Sequence, residues 1–369
     1  MSQSEAGTYG LKRLLSPRGL VSAAAIGVVV ACVLGAFAYT GGWLTPRRLT
    51  PGKVVDQFER ANGPHPGFRR NHPKGVCFTG WFDSDGAGTR LSMAEVFAPG
   101  RTPVFGRFAI ASGQPSLPDT PTALKSMAVN FAFRNGETWR SGMNGMPVFP
   151  VANVQDFYDN LVAATPDPNT GKPDPARLQA FVANHPQTAR ALALIKAQPL
   201  ASGFANTAYN SLDAFIFISA LGQATPVRWS MQPQDPFTPA KPDPSQAAAP
   251  NFLFDDLAQR VRQGPVRWRL VATLGRPDDQ TRDPSTPWPA DREQVQLGVL
   301  TIDRLVDEAH GACRDVTFDP LILPIGIRGS DDPILSARSA AYAQSFTRRS
   351  GEPAPTSAVR FPGSIESAR

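Results

Sequence analysis

The chain has no block of lysine or arginine and no basic stripe with interleaved aromatics, although its formal net charge is +6. Basicity this diffuse excludes the usual nucleic-acid footprint, which gathers cations on one face. Cysteine is scarce, with three in 369 residues. Cys32 falls in an apolar run, and the two thiols left over cannot build the dense disulfide framework of a small secreted domain. Cys77 lies in an apolar, strand-like stretch and reads as a buried core thiol. A single Cys77–Cys313 bridge stays open if the compartment is oxidising. Internal repeats and long low-complexity segments are also missing, and Asp235–Pro250 is only a proline-rich loop. At 41% hydrophobic and 18% charged residues, the chain is not disordered and can fill a large core.

What is present begins with an N-terminal address. Lys12, Arg13 and Arg18 precede Leu20 to Ala38, an uncharged apolar run. A basic stretch followed by an apolar one is the layout of an export signal. Ala36-Phe37-Ala38 offers a small-x-small cleavage site before Tyr39. The run is also long enough to span a bilayer uncut. Signal peptide and membrane anchor both remain open, and either puts the rest of the chain outside the cytoplasm.

The 37 prolines favour loops and short elements over long helices. Pro51 to Asn62 reads as a brief amphipathic helix with Val54, Val55 and Phe58 on one side. Strands are expected at Val76–Asp83, Met93–Phe97, Val104–Ala111 and Ser126–Phe133. After a helical stretch containing Pro175–Asn184 and Pro186–Ala197, more are expected at Ala214–Ala220, Thr225–Met231, Val266–Leu274 and Val295–Thr301. Eight strands split by helices predict a mainly β protein with α elements, an eight-stranded antiparallel β-barrel with accessory helices. A last helix is expected over about Asp332–Thr347.

That helix carries the most suggestive pair. Arg338 and Tyr342 lie one turn apart on the same face. A guanidinium beside a phenol favours the phenolate, and tyrosine is a known axial ligand of haem iron. Read alone, the pattern is weak, since an Arg and a Tyr at helical spacing are usually a packed aromatic beside a solvated charge. Further on, Arg348 and Arg349 are placed to meet an acidic group. His72 sits in the loop Phe68-Arg69-Arg70-Asn71-His72-Pro73-Lys74-Gly75 that leads into the first strand. Asn144 sits in Gly142-Met143-Asn144-Gly145-Met146-Pro147-Val148-Phe149.

In order along the chain, these segments resemble the haem catalases. Arg69 to Phe82 resembles the segment with the distal histidine, at His72. Gly106-Arg107-Phe108 resembles the strand with a propionate arginine, and Asn144 falls on the distal asparagine. Phe149 and Phe157 fall on pocket phenylalanines. Trp288-Pro289, Leu297 to Leu300 and Phe318-Asp319-Pro320 resemble framework segments, and Arg338, Tyr342 and Arg349 fall on the tyrosine helix. The resemblance covers about residues 50 to 350. It implies haem b as cofactor, with Tyr342 as axial iron ligand. His72 and Asn144 become the catalytic pair. Arg69, Arg107, Phe149, Phe157, Arg338 and Arg349 become cofactor contacts.

Two departures refine this expectation. The chain stops soon after the tyrosine helix, as in the short, exported branch of catalase-related peroxidases. The serine usual two positions after Arg107 is replaced by Ala109, which removes an expected hydrogen bond to the distal imidazole. The implied activity is a haem peroxidase that reduces hydrogen peroxide or organic hydroperoxides with a small organic reductant, with weak or no catalase activity. Monofunctional catalase and fatty-acid hydroperoxide isomerase or lyase stay as alternatives, beside a non-catalytic haem- or lipid-binding barrel. The expected layout is a signal or anchor with linker (1–48), a catalase-like domain (49–350) and a tail (351–369). A homodimer in the periplasm is the expected assembly, with membrane contact only through residues 20–38 and no nucleic-acid partner.

Overall fold

The computed structural model describes residues 17–45, 48–241 and 249–361. Lys12, Arg13 and tail residues 362–369 lie outside them. The chain divides into two compact units, Met1–Lys53 and Val54–Arg369. In the first, helix α1 (Pro17–Thr40) buries no residue, and by length and composition it can cross a membrane. The short amphipathic helix expected from sequence is α2 (Pro51–Asn62), with Val54, Val55 and Gln57 buried.

Some strands alternate buried and half-buried positions, and others carry longer buried runs. The strands are β1 (Gly75–Ser84), β2 (Gly100–Ile110), β3 (Lys125–Ala132), β4 (Thr138–Asn144), β5 (Tyr209–Asn210), β6 (Phe215–Ile218), β7 (Ala224–Pro233), β8 (Val266–Leu274), β9 (Gln294–Val306) and β10 (Ile327–Gly329). All pairings are antiparallel. Eight strands close a ring in the order β7-β5-β4-β3-β2-β1-β9-β8, because β7 also pairs with β8. Closure leaves no unpaired edge in the ring. Strands β6 and β10 extend the sheet beyond it.

The ring has the expected number of strands but not the expected membership. Met93–Phe97 is not a strand. The Ser92 hydroxyl accepts the Ala94 N–H at 3.1 Å, and Glu95–Phe97 turns as a short 3-10 helix. Its place is taken by β4, whose one-sided pattern hides it: Trp139, Ser141 and Met143 are buried while Arg140, Gly142 and Asn144 are not. The strand expected at Ala214–Ala220 is β6, which forms a hairpin with β7 around Gly222 but lies outside the ring.

Inside, the barrel is filled by aromatic rings. Phe131 stacks on Trp139 at 4.6 Å, and Trp139 meets Trp229 edge-on at 5.0 Å. Phe108 touches Phe78, Phe204 and Trp268 at 4.9 to 5.7 Å between centroids. Burying each such side chain is worth roughly 1.5–3 kcal/mol, so this core, rather than the cavity outside it, carries the stability. Helices α3 (Val154–Ala163), α4 (Pro175–Asn184) and α5 (Pro186–Ala197) form the insertion, and α6 (Phe252–Gln263) precedes β8. Helix α7 (Pro333–Ser350) starts where Asp332 caps the Ile334 N–H at 2.8 Å, with Pro333 in its first turn.

Cys77 is not a free core thiol. It is bonded to Cys313 with Cα atoms 5.5 Å apart. The bridge left open by the sequence thus forms, across a separation of 236 residues. It ties β1 to the loop after β9.

Candidate functional site

The site is built on the outside of the barrel. Register places residues of β2, β3 and β4 in rows: Ala109–Ser126–Asn144, then Arg107–Ala128–Gly142. Successive side chains on a strand point to opposite faces, so these residues share the outer face while Phe108, Met127 and Met143 point into the core. Helix α7, helix α3, the first turns after Lys53 and the Phe318 loop enclose the space above those rows. The result is one cavity with an empty volume of about 1370 Å³, its open mouth included. All nine site residues expected from sequence line it: Arg69, His72, Arg107, Asn144, Phe149, Phe157, Arg338, Tyr342 and Arg349.

His72 enters from the loop before β1 in a left-handed backbone conformation, with φ of 54°. That conformation is unusual outside glycine, and a following proline makes it less favourable still. Such strain persists where surrounding structure enforces it, and it gathers at functional sites. The Asn71 side chain accepts the His72 N–H at 3.0 Å. The ring keeps partial contact with the cavity, yet protein packs closely around it. That burial, followed by the positive field of Arg107 and Arg338, pushes its pKa down to about 4. His72 is therefore a neutral imidazole at physiological pH.

Sequence reading missed the group that engages it. Ser126 Oγ lies 3.3 Å from His72 Nδ1 and 2.6 Å from Asn144 Oδ1. The hydroxyl absent at Ala109 is thus supplied by its cross-strand partner. Only strand pairing reveals this, because 17 residues of sequence separate the two.

Beside this pair lies a cluster of cations. Arg107, buried on β2, donates to both oxygens of Glu308 at 2.9 and 2.8 Å. Gly75 makes room for it, since a Cβ there would sit 2.6 Å from the Arg107 Cζ. Arg69 reaches the same carboxylate at 3.4 Å and donates to the carbonyls of Cys313, Arg314 and Val316 at 2.8 to 3.2 Å. Arg349 donates to the Arg314 carbonyl at 2.8 Å. Burial and Arg107 push the Arg69 pKa down to about 9, with Glu308 opposing. Burial also lowers Arg349. Burial works against ionised Glu308, but Arg107 and Arg69 outweigh it and hold it low. Three guanidiniums around one carboxylate leave an excess of positive charge, which suits a ligand with more than one acidic group.

Arg348 does not join them. It turns to Asp56 and Glu59 at 2.6 and 3.3 Å, binding α7 to α2. Helix α7 instead offers Tyr342, over whose ring the Arg338 Cζ lies 5.8 Å from the centroid. Arg338 also donates to buried Asp213 and, at 3.1 Å, to the Gly142 carbonyl. Burial opposes its charge, yet Asp213 and then Tyr342 hold its pKa well above the ordinary value. Asp213 was another residue invisible to local reading. The other walls are apolar: the Phe157 ring lies 5.9 Å from that of Phe58 and 5.8 Å from that of Phe149, centroid to centroid. A wide apolar slot with a phenol, a neutral imidazole and an arginine cluster fits a flat, largely apolar macrocycle bearing carboxylates and a central metal.

With this geometry in hand, comparison with known proteins is decisive. The family profile for catalase matches residues 52–359. The chain belongs to the catalase family. It is 36% identical over 313 residues to a catalase-related peroxidase of Synechococcus elongatus, covering 85% of this chain and 90% of that one. A catalase-related peroxidase of Mycolicibacterium paratuberculosis is 32% identical, with 82% and 96% covered. A catalase of Pseudomonas aeruginosa is 28% identical, but the match takes in only 59% of its length. In fold, a bacterial catalase superposes with a TM-score of 0.68 at 20% identity, covering 80% of this chain and 60% of that one. A fungal catalase gives 0.69 at 16%, covering 81% and 62%. The chain thus spans about three-fifths of the length of these catalase structures.

Proposed function

We propose that this protein is a haem-dependent peroxidase that reduces hydrogen peroxide or organic hydroperoxides at the expense of a small organic reductant. One observation carries the reading: His72 with Asn144, Tyr342 with Arg338, and the three arginines line a single cavity. The similarity to catalase-related peroxidases over most of both chains supports peroxide as substrate and peroxidation over dismutation.

Haem b, when bound, supplies an iron centre able to accept both oxidising equivalents of a peroxide. Tyr342 is the residue to hold that iron, with the Arg338 guanidinium beside its ring. Arg69, Arg107 and Arg349 would bind the propionates by charge-assisted hydrogen bonds. Phe149 and Phe157 would keep the pocket dry. Neutral His72 takes a proton from one peroxide oxygen and returns it to the departing one, which leaves as water from hydrogen peroxide or as an alcohol from an organic hydroperoxide. Asn144 donates a hydrogen bond that orients the peroxide. Two one-electron oxidations of the reductant then complete the balance, hydrogen peroxide giving two waters and an organic hydroperoxide giving one alcohol and one water.

The site of action is outside the cytoplasm. Helix α1 is a long apolar segment near the N-terminus, and a Cys77–Cys313 disulfide is the mark of an oxidising compartment. The test is an absorption spectrum of the purified protein, then hydrogen peroxide titration with and without a phenolic reductant. Stoichiometric haem, reductant oxidation and little oxygen release are expected. High-turnover oxygen evolution with the reductant untouched, or a chain that binds no haem, would overturn the reading.

A further inference from the structure

The Ser126 hydroxyl has one proton and two neighbours. Asn144 Oδ1, 2.6 Å away, can only accept. The proton therefore goes to Asn144, and toward His72 the serine oxygen presents lone pairs. His72 Nδ1, 3.3 Å away, must then be the donor. Two protonation choices follow from one side chain. Neutral His72 is held as the Nδ1–H tautomer, which leaves Nε2 bare to take a proton. Asn144 has its acceptor occupied, so the donors left to it are those of Nδ2.

The placement is specific to the sheet. Ser126 stands in the middle of the row Ala109–Ser126–Asn144. It is buried, and both row neighbours line the same cavity. Ala109 offers no polar atom, so no other side chain in the row can connect the two groups. We propose that Ser126 is a positioning residue that sets the imidazole tautomer and the amide orientation together, making His72 and Asn144 one unit. This rests on the peroxidase reading above and deepens it.

The charged groups acting on the ring are Arg107, Arg338 and Arg69, with a backbone hydrogen bond at Ile110 opposing them. None of these changes when Ser126 is replaced. Association of cyanide with the haem-loaded protein reads the unit without turnover, because hydrogen cyanide must give its proton to a base as it binds. In Ser126→Ala, cyanide association should slow by about three- to tenfold, the range of one lost hydrogen bond, and its pH profile should move. Ser126→Thr should keep the wild-type profile. The double variant Ala109→Ser with Ser126→Ala returns a hydroxyl from the paired strand and should recover part of the rate. Wild-type rate and profile in Ser126→Ala would overturn the proposal. So would a slow variant that neither Thr nor the double substitution rescues, since that pattern means lost packing. A wild-type protein that takes up no haem would overturn the peroxidase reading itself, before any substitution is made.

Discussion

The two faces of β3 and β4 differ more than any two regions of the molecule. Inward, Met127, Val129, Phe131, Trp139 and Met143 are at most 1% exposed. Outward, the same strands present Ser126, Ala128, Gly142 and Asn144 to the cavity. A period of two lets one stretch of chain do both jobs. The inner face is tolerant in chemistry and strict in volume. The outer face is strict in chemistry, with small residues beside each polar one. Gly142 shows why: a Cβ there would come 3.3 Å from the Arg338 guanidinium.

Substitutions on the two faces should therefore fail in different ways. His72→Ala, on the cavity side, is expected to cut peroxidase kcat/KM by roughly 10²–10⁴-fold while haem content and melting temperature hold. A stopped-flow assay with calorimetry checks both. Trp139→Ala, on the core side, should cost about 3–5 kcal/mol of stability, read by denaturant unfolding, with the haem spectrum of the surviving folded protein unchanged. If the two variants failed alike, the division between faces would be wrong.

The disulfide tests how far the cavity depends on support from elsewhere. Cys77–Cys313 anchors the loop whose carbonyls receive Arg69 and Arg349. Replacing both cysteines by serine should cost about 2–4 kcal/mol in stability and weaken haem retention more than it lowers the rate per bound haem. Dialysis against apomyoglobin separates these effects.

Acidification should produce the gentlest change. The folded-state pKa of His72 lies below its ordinary 6.5, at about 4. The stability linked to its neutral form is complete above 6.5 and lost as pH falls toward 4. Glu308, also held low, loses its contribution in the same direction. The acid limb of kcat/KM should accordingly fall near pH 4, and a limb near 6.5 would contradict the burial of His72.

Much of this was legible in the sequence because it rests on local rules. Pro175–Asn184, Pro186–Ala197 and Val266–Leu274 have the expected bounds, since proline starts and alternating apolar residues act within a few positions. The nine cavity residues lie in segments whose order along the chain resembles the catalases. What escaped depends on pairing at long range. Ser126 is notable only opposite Ala109, and Glu308 only among Arg69 and Arg107. Strand β4 escaped because its outer face serves the cavity and so breaks the apolar pattern.

The proposed iron ligand, Tyr342 on α7, lies far along the sequence from the rows that carry Ser126 and Asn144. The most direct test is haem reconstitution of Tyr342→Phe beside the wild type, followed by absorption spectroscopy. The variant should bind haem poorly, with an altered spectrum and no reductant oxidation. A variant with full haem occupancy and the wild-type spectrum would contradict it.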